Sequence, residues 1–82
     1  MEDYQLIEEL HEIKEGRYIK WFKIEEKKWR GGFVVKVDIE EDGARVLVKK
    51  GVYLLTCIYD SSIIYQKLSL DERLIKRIES LL

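Results

Sequence analysis

The sequence predicts an α+β fold, a small five-stranded antiparallel β-barrel flanked by an N-terminal and a C-terminal amphipathic helix. Three observations predict it. Apolar residues recur at helical spacing near both ends of the chain, β-branched and aromatic runs separated by short polar turns fill the middle, and paired glycines interrupt the second of those runs. The 82 residues suit one domain spanning 1–82, and 46% hydrophobic with 38% charged residues sets a modest core under a solvated surface.

Taking the elements in order, Leu6, Ile7, Leu10 and Ile13 share one helical face opposite Glu8, Glu9, Glu12 and Glu15, which predicts a helix over 3–15 stopped by Gly16. Residues 17–68 then read as a β-meander or barrel with strands over 17–24, 29–39, 44–49, 52–59 and 63–68. Asp42-Gly43 is a strong hairpin signal, because both residue types tolerate positive φ. Gly31-Gly32 permits the bulge or sharp coiling that a barrel needs in order to close. Ser69-Leu70-Asp71-Glu72 forms a Ser-x-x-Glu capping box, and Leu74, Ile75, Ile78, Leu81 and Leu82 continue one apolar face, which predicts a helix over 69–82. That face is longer than a lone surface helix needs, and a second subunit is one candidate to cover it.

The formal charge of −1 gives no bulk argument for nucleic acid or membrane, but charge is unevenly placed. Residues 1–16 carry six acids and one lysine, whereas residues 17–36 carry seven bases and two acids. The single cysteine, Cys57, excludes an intrachain disulfide and every multi-cysteine metal signature, and its apolar neighbours mark it as core. His11, the only histidine, sits among flexible glutamates that make a poor metal site. No nucleophile triad, phosphate loop or dinucleotide fingerprint occurs. The expectation is therefore no enzyme, no catalytic residues, no metal and no cofactor. An acidic start without a signal-like run, and no stretch near ~20 apolar residues, lead to the expectation of an intracellular protein of cytoplasm or nucleus with no membrane partner.

The informative cluster interleaves bases with rings over two adjacent strands, with Arg17, Tyr18, Lys20, Trp21, Lys23, Lys28, Trp29 and Arg30 as the candidate partner-binding residues. Rings stack bases and cations pair phosphates, so small barrels that bind single strands use this mixture. The same mixture builds protein-binding grooves. Against both stands the reading in which Tyr18, Trp21, Phe22 and Phe33 fill the core and the lysines are a solvated face.

Gly16-Arg17-Tyr18-Ile19-Lys20-Trp21-Phe22 followed by Trp29-Arg30-Gly31-Gly32-Phe33-Val34-Val35-Lys36-Val37 resembles a pattern in short proteins of large nucleocytoplasmic DNA viruses. There a Gly-x-x-Ile-Arg-Tyr-Phe-like strand precedes an Arg-x-Gly-Gly-Phe-like strand. Here Lys20-Trp21 stands in place of Arg-Tyr, and the two flanking helices lie outside the pattern. The resemblance implies an SH3-like or Tudor-like barrel and a small non-enzymatic adaptor associated with a virion. From the residues alone the meander closes either as an SH3-like barrel or as an OB-type Greek key. Two functions follow: a protein-interaction or assembly module, whose partner includes another copy of the chain, and alternatively a nucleic-acid-binding barrel using residues 17–36.

Overall fold

In the computed structural model, which describes residues 3–82, the chain forms six strands, one α-helix and two single 3₁₀ turns. The strands are β1 (Tyr4–Leu6), β2 (Tyr18–Lys23), β3 (Lys28–Glu40), β4 (Gly43–Lys50), β5 (Tyr53–Ile58) and β6 (Ser62–Lys67), followed by α1 (Leu70–Leu81). Every pairing is antiparallel, and the order across the sheet is β1-β6-β2-β3-β4-β5.

This corrects the expected five-stranded closed barrel flanked by two helices. The sheet has six strands and is open, with β1 and β5 as its edges, and among the described residues no ladder joins them. The reason is local to β6. Its inner edge pairs with β2, and its outer edge, which a closing strand would need, is taken by β1 through Tyr4↔Lys67, Gln5↔Gln66 and Leu6↔Tyr65. The sheet nevertheless coils strongly, because β5 reaches β6 through the single turn Tyr59–Ser61 although three strands separate them in the order.

The expected helix over 3–15 is likewise replaced by β1 and one 3₁₀ turn, Leu10–Glu12. A spacing of three residues between Ile7, Leu10 and Ile13 suits a 3₁₀ turn as well as an α-helix. Ile7 and Ile13 are buried and Leu10 packs on the core, so the residues that suggested the helix do face inward. What decides between the two forms is tertiary. The buried Gln66 side chain accepts from Lys14 N at 2.8 Å and donates to Glu12 O at 3.0 Å, tying this segment to β6. Glu12 Oε1 meanwhile accepts from the N–H groups of Glu8 and Glu9 at 2.9 and 2.8 Å.

The core is assembled by period-two alternation from both halves of the coiled sheet. Ile19 and Trp21 of β2 and Ile64 of β6 meet Val46 and Val48 of β4 and Cys57 of β5, with Val34 of β3 between them. The strand β3 bridges the halves: Lys28–Phe33 pairs with β2, Phe33–Glu40 pairs with β4, and a bulge between Val34 and Lys36 turns the strand. At Gly32 an added β-carbon would lie 2.4 Å from Val48 Cγ1 and 2.8 Å from Lys49 O, so only glycine permits this approach.

The helix α1 starts at the capping box read from sequence: Ser69 Oγ accepts from Glu72 N at 3.1 Å, and Glu72 Oε1 accepts from Ser69 N at 2.8 Å. Glu72 also clamps the helix to the sheet. Arg17 Nη1 donates to Glu72 Oε1 at 2.6 Å and to Lys67 O at 3.2 Å, and Lys14 Nζ lies 3.8 Å from Glu72 Oε2. Beyond this clamp the helix buries none of its residues.

Core and clamp can each be tested by stability. Trp21 is fully buried, so Trp21→Ala should cost ~3–5 kcal/mol in urea unfolding, whereas Trp29→Ala, on the surface, should shift the midpoint far less. Glu72 is held down at a pKa of about 2, first by the Ser69 N–H and then by Arg17, against an ordinary value of 4.5. Its folded pKa is depressed, so its contribution is complete above about pH 4.5 and is lost as the pH falls through about 2. Melting temperatures of wild type and Glu72→Gln should therefore differ most at neutral pH and converge across that window. A gap that stays constant down to pH 2 would rule out the clamp as the source.

An acid-free aromatic face

Side chains alternate across a strand, so the partners of the buried Ile19 and Trp21 turn the other way. On that outer face the ladders place Tyr18 opposite Phe33, Lys20 opposite Gly31, and Phe22 opposite Trp29. On the other side of β2, Lys20 lies opposite Tyr65 and Phe22 opposite Ile63, while Leu6 meets Tyr65 and Tyr4 meets Lys67 at the edge. Beyond Phe33, Lys49 of β4 continues the row. The outward positions of β1, β6, β2 and the first half of β3 thus hold six aromatic rings and two lysines, and no aspartate or glutamate. For a chain with 16 acids this is a strong segregation of charge.

Five of the rings form two groups, Tyr18 with Phe33 and Phe22 with Trp29 and Tyr65. Tyr18 and Phe33 meet edge to face with centroids 5.2 Å apart, Phe22 and Trp29 are 5.4 Å apart, and Trp29 and Tyr65 are 6.1 Å apart. Lys20 Nζ sits 4.6 Å from the centroid of the Tyr4 ring. Phe33 and Trp29 remain 56% and 53% exposed, so over half of each is free to take a partner. The hydroxyl of Tyr18 lies over Gly31, where a β-carbon would collide with it. Tyr4, Tyr18, Lys20, Phe33 and Lys67 wall a cavity of about 470 Å³ with Arg17 at its rim. Among the described residues Lys20, Lys49 and Lys67 have no carboxylate within ion-pair distance.

The structure therefore divides the candidate residues. Tyr18, Lys20 and Trp29 come together on the outer face, and Arg17 reaches its rim while bound to Glu72. Trp21 is withdrawn into the core, its indole N–H without a partner among the described residues, and is out of reach of any ligand. Lys23, Lys28 and Arg30 have the opposite parity: Arg30 pairs with Trp21, Lys23 pairs with Lys28, and Glu26 binds both Lys23 and Arg30, at 2.8 and 3.4 Å. Tyr4, Tyr65 and Lys67 belong to the face and were not among the candidates. The alternation Ile63, Tyr65, Lys67 in β6 carried a signal for two of them, whereas Tyr4 lay in the segment read as helix.

The chemistry available here is stacking and anion pairing. The cavity presents phenol hydroxyls and ammonium groups, which are donors and cations, with the Arg17 guanidinium at its rim already paired with Glu72. Elsewhere, Cys57 is enclosed in the core, and burial pushes its thiol up to about 11. His11 is exposed on the 3₁₀ turn with Glu9 3.3 Å away. Among the described residues no helix is long and apolar enough to cross a membrane.

The two tryptophans report separately on core and face. Trp21→Phe, which leaves only Trp29, should emit to the red and be strongly quenched by acrylamide. Trp29→Phe, which leaves Trp21, should emit to the blue and resist quenching. Equal quenching in the two variants would contradict the division drawn above.

Comparison with known families, with characterised proteins and with solved structures finds no match, so the resemblance to the viral pattern rests on residues 16–22 and 29–37 alone.

Proposed function

We propose that the chain is a non-enzymatic binding module that takes single-stranded nucleic acid across the outer face of β1, β6, β2 and β3. The observation that carries this reading is the composition of that face: two groups of packed rings and, among the described residues, lysines without acidic partners and no carboxylate at its outward strand positions. Bases stack on aromatic rings with little sequence preference, and lysines neutralise phosphates. Lysine is depleted at protein–protein interfaces relative to arginine, and here the unpaired cations are lysines. A face of one charge sign also attracts an anion in a chain whose net charge is close to zero.

A protein-interaction or assembly module is the second reading, and the exposed apolar stripe of α1 favours it. The adaptor role implied by the viral resemblance belongs with this reading.

Fluorescence anisotropy of labelled oligothymidylate and oligouridylate separates the two. Binding should weaken between about 50 and 200 mM salt, with a log–log slope near −2 if Lys20, Lys49 and Lys67 each meet one phosphate at about −0.7 per contact. Lys20→Glu with Lys67→Glu should abolish it, and Lys28→Glu, on the other side of the hairpin, should leave it nearly unchanged. Absence of binding at low salt, or equal loss from Lys28→Glu, overturns the nucleic-acid reading and leaves the protein partner.

A further inference from the structure

The helix α1 carries an apolar stripe that nothing among the described residues covers. Successive helical residues step about 100°, which gathers Leu70, Leu74, Ile75, Ile78, Leu81 and Leu82 on one side, and all six are exposed. Leu74, Ile75 and Ile78 are 47%, 55% and 58% exposed, although they lie in the body of the helix rather than at its frayed end. The charges beside the stripe are sorted. Glu72 and Glu79 border one side, whereas Arg73 and Arg77 border the other. Within the chain Glu72 is used by Arg17 and Arg73 by Asp3, but among the described residues Arg77 and Glu79 have no ion-pair partner. A groove of about 410 Å³ runs along the basic border, walled by Asp3, Leu70, Arg73 and Arg77.

We infer that this stripe is covered by the α1 helix of a second copy of the chain, packed in parallel. The sorting of charge fixes the orientation. A two-fold axis along a parallel pair brings the acidic border of each helix against the basic border of the other, as at complementary coiled-coil flanks. An antiparallel pair sets acidic against acidic and basic against basic. Asp71 falls within the same arc, between Ile78 and Leu82 around the helix, so in a parallel pair the two copies of Asp71 would oppose each other at the N-terminal end of the stripe. The contact therefore begins at Leu74 and runs to Leu82. At ~1.5 Å per residue that is only ~14 Å of stripe, and the interface falls short of the ~1,600 Å² of a standard complex. The association is accordingly weak and concentration-dependent.

Sedimentation equilibrium of the full chain, free of nucleic acid, tests this independently of the outer face. Wild type should shift from monomer to dimer with rising concentration. Ile78→Lys should weaken dimerisation by about tenfold or more while leaving the melting temperature of dilute protein nearly unchanged, because Ile78 is exposed and stands outside the core of its own chain. Arg77→Glu should weaken it about two- to fivefold, and adding Glu79→Arg should restore it. Strengthening by Arg77→Glu overturns the parallel arrangement, and a chain that stays monomeric into the millimolar range overturns the pairing itself.

Discussion

The close approach of β3 to β4 at Gly32 is the constraint on which the rest of the structure depends. With no side chain there, Val48 and the Lys49 carbonyl come in to distances that a β-carbon would forbid. At the next residue, Phe33, β3 exchanges one partner strand for the other, and the bulge after Val34 completes the bend. The sheet can then fold its two halves over one core. Trp21 is enclosed between them, and a single 3₁₀ turn suffices to carry the chain from β5 to β6. The same bend fixes which side of β2 meets solvent, so the outer rings and lysines are placed by the geometry that buries Ile19 and Trp21.

Much of the strand pattern was legible because it is written in local alternation. All five strands between residues 17 and 68 occur where β-branched and aromatic runs marked them, and Ser69 and Glu72 form the capping box their spacing implies. The N-terminal segment was not legible, since Ile7, Leu10 and Ile13 satisfy two periodicities at once. The choice is made by Gln66 and by the open edge of β6, both more than fifty residues along the chain. Closure was beyond reach for a related reason: alternation tells which face a residue takes, but not whether a sixth strand will occupy the edge a barrel would need.

The candidate site was half legible. Parity alone separates Tyr18 and Lys20 from Trp21, and places Lys23 and Lys28 with Trp21 rather than with the exposed rings. A cluster read from residue type alone mixes the two faces that this period of two separates. Charge counted along the chain concealed a second regularity. The positive excess of residues 17–36 is spread over both faces of the β2–β3 hairpin, and on the core side Glu26 neutralises part of it. The face is distinguished by excluding acids, with Lys67 and Tyr65 contributed from a segment whose own charge is balanced.

Folding accounts for some of this face but not for all of it. Cross-strand aromatic pairs stabilise a sheet by about 0.5–1.5 kcal/mol each, which is reason enough for Tyr18 to face Phe33 and for Phe22 to face Trp29. It is no reason for the exclusion of carboxylates, because an acid beside Lys20 or Lys67 would pair with it on an exposed sheet and cost little. Nor does the core require these rings: it is filled by aliphatic side chains, Cys57 and Trp21. What remains unexplained by stability is rings held open to water and lysines left without acids among the described residues. On the proposed reading, that combination would serve a partner bearing both flat apolar groups and negative charge.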